Sequence, residues 1–190
     1  MSPFSPDPGR DSLASSADLR ALGDPLEFLH RDHLREREIC ALLDRIATAP
    51  EVDPEAASDV LIFLREVLPF HLADEEDDLF PLLRQRCKPE DEIDEAIERL
   101  YSDHGRAAKD TPDVITILER HLPGGAGLSD TERRVLTRYA THARRHLVLE
   151  NAIILPFARL RLSEQDRDAL RFRMLERRGL SRLWESSHVD

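Results

Sequence analysis

The same pattern of residues occurs twice along this chain, and it limits the possible fold more than any other feature. Each copy contains an Asp-His pair, a second histidine downstream, a glutamate four residues after that histidine, and a proline six residues further on. The two histidines of a copy are 38 residues apart in the first half (33 to 71) and 42 apart in the second (104 to 146). The positions are His33, His71, Glu75 and Pro81 in the first copy, and His104, His146, Glu150 and Pro156 in the second. The repeat indicates one two-helix unit that is used twice, with an approximate twofold relation.

Capping signals and apolar spacing predict five helices. Charged residues make up 34% of the chain and aromatic residues 5%, and no stretch alternates apolar and polar residues as a half-buried strand would. Asp24-Pro25 and Asp53-Pro54 each offer an N-cap followed by a proline at the first helical position, and Ser129-Asp-Thr-Glu132 is a capping box. The predicted helices run from Pro25 to about Thr48, from Pro54 to about Gln85, from about Pro89 to about Leu122, from Asp130 to about Leu162, and from Ser163 to about Arg178.

These helices predict an all-α fold, namely an up-down-up-down four-helix bundle over residues 24–162, because short connections favour antiparallel neighbours. Residues 163–190 add a C-terminal helix and a tail, and the proline-rich residues 1–18 are predicted to form a flexible N-terminal tail. Prolines inside the helices predict irregularities, with a kink at Pro69, a bend near Pro81 and a kink or break at Thr111-Pro112.

Net charge and cysteine content indicate which classes of partner are disfavoured and which cellular compartment to expect. The formal net charge of −11 argues against nucleic acid and anionic membrane surfaces, because both repel an acidic protein. The sequence contains no segment of membrane-spanning length and no signal-peptide pattern. Cys40 and Cys87 form neither a metal-type pair nor a disulfide framework. We therefore expect a protein of a reducing compartment, the cytoplasm.

Helix geometry brings the repeated histidines and glutamates to one place. Residues four apart lie on the same helix face, so each His-x-x-x-Glu pair can reach one point in the core. His33 and His104 each add an imidazole from the preceding helix. Six such groups would be costly in an apolar core without a partner, since an unpaired buried carboxylate is strongly unfavourable. Two cations bridged by the two carboxylates, with two imidazoles each, remove that cost. This donor set favours iron, with manganese or zinc as alternatives.

The six positions resemble the ligand pattern of the hemerythrin-like (HHE cation-binding) domain, over about residues 24–160. The resemblance implies a bundle that holds two iron ions, bridged by an oxo or hydroxo group, with open positions for oxygen, peroxide or nitric oxide. Oxygen carriers of the family have His-x-x-x-His on the third helix, whereas Ala108 stands four residues after His104 here. The pattern is closer to members with four histidines and two glutamates, including the iron–sulfur-cluster repair group, although residues 1–18 lack the cysteines of that group. The implied metal ligands are His33, His71, Glu75, His104, His146 and Glu150.

Several neighbours of these positions have open or structural roles. His142 and His30 each lie one turn before a candidate ligand, so each is either an extra metal contact or a hydrogen-bonding neighbour. The acidic residues around Glu75 are predicted to form a solvated face. Asp32 and Asp103 either orient ligand histidines or lie on the surface, and the surface is favoured because an adjacent helical residue points about 100° away. Tyr101 and Tyr139 either reach the site as redox or hydrogen-bonding groups or pack in the core, and core packing is favoured for both and for Cys40. The acidic residues in question are Asp74, Glu76, Asp77 and Asp78.

The main functional hypothesis is a non-haem di-iron protein that senses, binds or scavenges oxygen, peroxide or nitric oxide, rather than a dedicated enzyme. Two alternatives remain open. One is a catalyst, either a peroxide-consuming oxidase or an iron donor in oxidative or nitrosative stress repair. The other is a structural metal site in an interaction or signalling module. The C-terminal residues Leu180, Leu183 and Trp184 either dock on the bundle or form a homodimer contact.

Overall fold

The computed structural model describes residues 23–123 and 127–180, and most of them are helical, with no strand among them. The first bundle helix is α1 (Pro25–Thr48). The second consists of α2 (Pro54–Ile62), π1 (Phe63–Val67), α3 (Leu68–Ala73), π2 (Asp74–Leu79) and α4 (Phe80–Arg86). A 3₁₀ turn, Pro89–Asp91, leads to the third, α5 (Ile93–His121). The fourth consists of α6 (Asp130–Leu149), π3 (Glu150–Ile154) and α7 (Leu155–Arg161), and α8 (Glu164–Arg177) follows it. The predicted flexible tail, residues 1–18, lies outside the described residues, as do Leu183 and Trp184.

The predicted caps begin the helices. The Asp24 carboxylate accepts from the backbone N–H of Leu26 at 2.9 Å, and Asp53 accepts from Glu55 at 3.0 Å. Ser129 and Glu132 form a reciprocal capping box at the start of α6. Because each cap satisfies backbone donors that have no partner inside the helix, these residues fix where the helices start. The all-α prediction is confirmed.

The prolines inside the second and fourth bundle helices do not break them. Pro69, Pro81 and Pro156 each follow a π turn, in which the residue before the proline donates to the carbonyl five positions back instead of four. The backbone N–H of Leu68 donates to the Phe63 carbonyl, that of Phe80 to Glu75, and that of Leu155 to Glu150. A π turn adds one residue per turn and so accommodates the proline ring.

Of the kink or break predicted at Thr111-Pro112, the break does not occur. The third bundle helix, α5, continues from Ile93 through Pro112 to His121. The Thr111 hydroxyl donates to the Ala107 carbonyl at 2.7 Å, one turn earlier. The helix therefore accommodates this proline, although its ring cannot donate a hydrogen bond.

The apolar core consists of two clusters that lie at opposite ends of the bundle. One combines the C-terminal half of α1 with the start of the second bundle helix, the end of α5 and the start of α6, and contains Leu43, Val60, Leu118 and Leu136. The other combines the remaining halves of the same helices and contains Leu29, Phe80, Leu100 and Leu155. Each cluster combines the end of one helix with the start of the next, because neighbouring helices are antiparallel. The repeated histidines and glutamates occupy the chain positions between the two clusters.

The C-terminal helix α8 covers one end of the bundle. Leu170, Met174 and Leu175 are buried in the same cluster as Phe80, and Leu180 packs against it. The helix contacts α1 and π2. None of the helices in residues 23–123 and 127–180 has the length and hydropathy needed to cross a membrane.

Candidate metal centre

All six repeated histidines and glutamates lie together in the interior of the bundle. Each of the four bundle helices contributes at least one of them, and each is at most 6% exposed. The lone histidines come from α1 and α5, and each His-x-x-x-Glu pair has its glutamate in a π turn or at the start of one. The wide turns thus occur where the carboxylates enter the site, a position at which π turns are often found. The six are His33, His71, Glu75, His104, His146 and Glu150.

The six side chains form two overlapping groups of four. The first contains His33 and His71 together with both glutamates, and the second contains His104 and His146 with the same glutamates. Within each group, the potential donor atoms lie within 4.8 Å of one another. The shared residues are Glu75 and Glu150. Two four-donor groups that share two carboxylates have the form of a two-metal site with bridging carboxylates.

Measured distances show how closely the donors converge. His33 Nε2 lies 3.5 Å from Glu75 Oε1 and 3.4 Å from Glu150 Oε2. On the other side, His146 Nε2 lies 2.8 Å from Glu150 Oε1. His104 Nε2 is 3.5 Å from Glu75 Oε2. The two carboxylates therefore lie between the two histidine pairs.

The buried polar atoms at the centre fit a cation. Both oxygens of each glutamate and the Nε2 atoms of His33 and His71 are buried and form no hydrogen bond of normal geometry, although His146 Nε2 lies 2.8 Å from Glu150 Oε1. An unsatisfied buried polar atom costs about 1–3 kcal/mol, and more if it is charged. Two cations bound by these atoms would remove this cost. Imidazole nitrogens and carboxylate oxygens are both atom types that bind iron.

Burial and mutual charge set the protonation of the side chains. Burial lowers the pKa of His33, but the carboxylates of Glu150 and Glu75 outweigh burial and raise it to about 9. The same competition, with Glu150 as the main partner, raises the pKa of His146 to about 10. Burial and the neighbouring Glu150 raise the pKa of Glu75 to about 7. The pKa of His71, by contrast, is lowered by burial and by the neighbouring His33, and, despite its burial, the pKa of Glu150 is held well below its ordinary value by His146 and His33. The two glutamates therefore favour positive charge at His33 and His146, in keeping with a cation-binding role.

Two of the histidines are oriented by hydrogen bonds on the side away from the centre. Asn151 Nδ2 donates to the Leu147 carbonyl at 2.7 Å, so its Oδ1 must be the atom that faces His33. His33 Nδ1–H donates to that oxygen at 3.3 Å, which leaves Nε2 free toward the glutamates. His104 Nδ1 is likewise 2.6 Å from a carboxylate oxygen of Glu76. Such contacts fix the tautomer and ring orientation of metal-binding histidines.

The sequence-based placement of Asp32 and of part of the acidic run is wrong. Asp32 is 2% exposed, and its carboxylate lies 3.9 Å from His71 Nδ1. The Arg35 guanidinium, which donates to this carboxylate at 2.9 Å, and the positive charge of Arg178 offset the cost of its burial. Glu76 faces His104 instead of solvent alone. Asp77, which was also predicted to be solvated, has a side chain that is 68% exposed, as expected.

Asp74 and Asp78 also contradict the predicted solvated face. They are 0% and 2% exposed, and they pair with arginines of the C-terminal helix. Arg178 Nη2 donates to Asp74 at 2.7 Å, and Arg177 contacts both aspartates. The sequence pattern did not show this because the partners lie about a hundred residues away and only the docking of α8 brings them close.

His30 and His142 lie outside the two groups of donors. His30 Nδ1 is 3.1 Å from the Asn151 oxygen that also contacts His33, so it has the role of a hydrogen-bonding neighbour. His142 is partly buried, and its Nδ1 accepts from Arg106 at 3.2 Å. Asp103 is partly exposed, 3.9 Å from Arg106.

The tyrosines and Cys40 pack as predicted, and one further acid was missed. Tyr139 and Cys40 are buried in an apolar cluster, and Tyr101 is partly buried against the other. Glu36 is 7% exposed, and burial raises its pKa to about 7. It lies three residues after His33, and that helical spacing was the signal that could have identified it.

A cavity adjoins the second group of donors. It has a volume of about 30 Å³, and its lining includes Glu36, Tyr139, His104 and His146. Ala107, three residues after His104, also lines it, whereas Ala108 is exposed. One side of the centre is therefore next to space that can hold a small molecule.

Comparisons with known proteins agree with this geometry. The hemerythrin HHE cation-binding domain family matches residues 24–158, which include all six repeated histidines and glutamates. No curated protein matches the chain significantly. The family match covers most of the chain, and the two buried groups of histidine and glutamate are able to bind metal. The chain belongs to the hemerythrin HHE cation-binding domain family.

Proposed function

We propose that this chain is a non-haem di-iron protein that binds oxygen, peroxide or nitric oxide. The observation that carries the proposal is the pair of overlapping donor groups with two shared glutamates. One metal would be held by His33 and His71, the other by His104 and His146, and both by Glu75 and Glu150. When bound, the iron pair supplies Lewis-acid and redox chemistry to a small ligand.

The surrounding residues support iron at this centre. Two imidazoles and two carboxylates give each metal four protein donors, which leaves further positions for ligands on an ion that takes six. Four protein donors also suit zinc. A zinc ion with four protein ligands, however, has no open position for a small molecule, as in structural zinc sites. Asn151 and Glu76 hold the rings of His33 and His104 in orientation by accepting from Nδ1, which raises the basicity of Nε2.

The cavity beside His104 and His146 favours ligand binding over a purely structural site. Besides Glu36 and Tyr139, its other lining residues are four apolar ones, Leu68, Leu72, Ala107 and Ala143, and four polar ones, Asp103, Arg106, Asp110 and His142. A cavity of about 30 Å³ admits small molecules and excludes organic groups. A metal centre with such access can bind or react with a diatomic molecule, whereas a structural centre has no need of it.

The thiols are consistent with the cytoplasm as the working compartment. Cys40 is buried and Cys87 is partly buried, and neither forms a disulfide. Unpaired thiols are usual where the environment is reducing.

Iron content of the purified full-length protein tests the proposal. Protein from iron-fed cells should contain about two iron ions per chain, the number that the paired donor groups predict. His104→Gln should lower this to about one or less, and Glu150→Gln should lower it further because both metals share that carboxylate. The matched controls are His121→Gln and Glu119→Gln, which lie on the same helix as His104 but outside the donor groups. Less than one iron per chain in the parent, with no change in the variants, would contradict the proposal.

Ligand binding and turnover are separated by a second measurement on the same protein. Spectra of the iron-loaded form with nitric oxide or peroxide report binding, and the rate of peroxide loss reports turnover. We expect binding without sustained turnover. Multiple turnovers of peroxide per centre would instead favour the catalyst.

A further inference from the structure

A second, larger pocket lies on the surface beside the cavity. It has a volume of about 340 Å³ and lies between α5 and α6. Its lining residues are Arg99, Ser102, Asp103, Arg106, His142 and Arg145. Three arginines against one aspartate give this pocket a formal charge of +2, on a chain whose net charge is −11.

The arginines of the pocket have guanidinium N–H groups that form no hydrogen bond within the described residues. Arg106 uses one guanidinium nitrogen on His142 and has another 3.9 Å from Asp103. Arg99 and Arg145 are exposed and form no side-chain hydrogen bond or ion pair within residues 23–123 and 127–180. Arg86 and Arg161, by contrast, are paired with aspartates at hydrogen-bond distance, and the exposed Arg37 and Arg45 line neither of the two cavities. Two unpaired guanidinium groups in one concave pocket form a favourable site for an anion.

The pocket adjoins the route to the metal centre. It shares three lining residues, Asp103, Arg106 and His142, with the cavity that reaches His104 and His146. The inner cavity, at about 30 Å³, admits one or two water-sized molecules and no organic group. Any molecule that passes from the outer pocket to the centre must therefore be small.

We propose that Arg99, Arg106 and Arg145 bind small monovalent inorganic anions and concentrate them at the entrance to the metal centre. This inference rests on the proposed function and extends it from neutral diatomics to anions of two or three heavy atoms, the size of superoxide, nitrite or azide. The positive pocket offsets the repulsion that the acidic chain exerts on such a ligand. Charged clefts of this kind raise association rates for ligands of opposite sign.

Arginine side-chain resonances test the anion site independently of iron. The full-length chain is titrated with azide, and the Nε–H signals of its arginines are followed by nuclear magnetic resonance, before and after removal of metal with a chelator. The signals of Arg99, Arg106 and Arg145 should shift saturably in both states. Arg37 and Arg45, exposed on α1 and outside the pocket, are internal controls and should shift little. Equal shifts for all five arginines, or none, would overturn the anion site.

Association kinetics test the entrance role. Azide binding to the diferric protein is followed by stopped-flow absorbance at low ionic strength. Arg99→Gln combined with Arg145→Gln should slow association about tenfold, and added salt should remove most of the difference. The control, Arg37→Gln combined with Arg45→Gln, makes the same change in net charge and should leave the rate within twofold. Nitric oxide, a neutral probe, should bind the diferrous form of both variants at the parent rate.

The outcomes separate the two proposals. If the chain holds no iron, the proposed function fails, and the resonance titration still decides whether the anion site exists. If iron and azide bind but both double variants slow azide equally, the pocket has no specific role and the inference fails while the proposed function stands. If the pocket variant also slows nitric oxide tenfold, the arginines shape the route itself and the anion-concentrating role is overturned.

Discussion

Glu76 shows how one residue outside the donor groups can set the properties of a donor. Its carboxylate lies 2.6 Å from Nδ1 of His104, although it is partly exposed and follows directly on Glu75. The sequence places it beside a candidate ligand but gives no reason to pair it with a histidine 28 residues away. Only the packing of α5 against π2 brings the two side chains together.

Replacing Glu76 by glutamine should weaken metal binding without emptying the site. Loss of the charged acceptor lowers the basicity of His104 Nε2 and loosens the ring, and such contacts typically contribute about 10- to 100-fold in metal affinity. Competition with a chelator of known affinity measures the change. Asp77→Asn is the matched control, because Asp77 is the next acid in the chain and is 68% exposed. An equal effect of both substitutions would contradict the assigned role.

At the residue scale, the sequence repeat identifies the six histidines and glutamates that converge in the core. Local spacing alone does not identify the buried acidic residues beside them. His33, His71 and Glu75 have fixed separations on their helices, so one rule of helix geometry places them on inward faces. Glu36 satisfies a similar rule but has no counterpart in the second half of the chain. Asp32 is adjacent to His33, and the sequence favours a surface position for it. Its burial is supported by Arg35, one turn further on, and by the distant Arg178, which no local pattern identifies.

At the scale of the element, the caps and the π turns fix where each helix begins and how its side chains are presented. The capping box at Ser129 is a local motif, and the start of α6 was predictable for that reason. The π turns were not, because a proline inside a helix is compatible with a kink, a break or a widened turn, and only the packing on both sides decides. In π2 and π3, the widened turn contains the glutamate that enters the site.

The cap of α6 makes a testable contribution to the pH dependence of stability. Hydrogen bonds from the Ser129 backbone N–H and hydroxyl lower the pKa of Glu132 to about 2, from an ordinary value of 4.5. A lowered folded-state pKa stabilises the protein when the group is charged. This contribution is therefore complete above pH 4.5, the unfolded value, and is lost as the pH falls through about 2.

Glu132→Gln measures this contribution. The substitution should lower the free energy of unfolding by about 1 kcal/mol at pH 7, because it removes a negative charge at a helix N-terminus. The difference from the parent should shrink between pH 4.5 and pH 2. Urea titrations at a series of pH values provide the measurement, with Glu119→Gln, an exposed acid on α5, as the control. A difference that grows as the pH falls would show that the sign is wrong.

At the scale of the whole molecule, the metal site lies between two apolar clusters, and contacts with the C-terminal segment stabilise the helix that contains Glu75. The side chain of Arg178, which is 7% exposed, lies over the rings of Phe28 and Phe70 and donates to Asp74, the neighbour of Glu75. The four-helix architecture follows from the helix pattern and short connections, so it was predictable. The ionic contact between α8 and π2 was not, because it joins residues about a hundred positions apart.

Arg178→Gln tests this stabilisation. Removing one partner of a buried ion pair leaves Asp74 with less compensation and should cost about 3 kcal/mol in the free energy of unfolding. The control is Arg173→Gln, since Arg173 is 56% exposed and its pair with Asp78 should contribute at most about 1 kcal/mol. Urea unfolding of the two variants gives the comparison. Equal losses would contradict the view that the buried contact is the important one.

Anomalous diffraction from crystals of the iron-loaded protein, with data above and below the iron absorption edge, shows where in the bundle iron binds. We expect two iron peaks about 3.5–4 Å apart, one beside His33 and His71 and the other beside His104 and His146, with Glu75 and Glu150 between them. A single peak, peaks outside this set of six residues, or signal that persists below the iron edge would contradict this expectation.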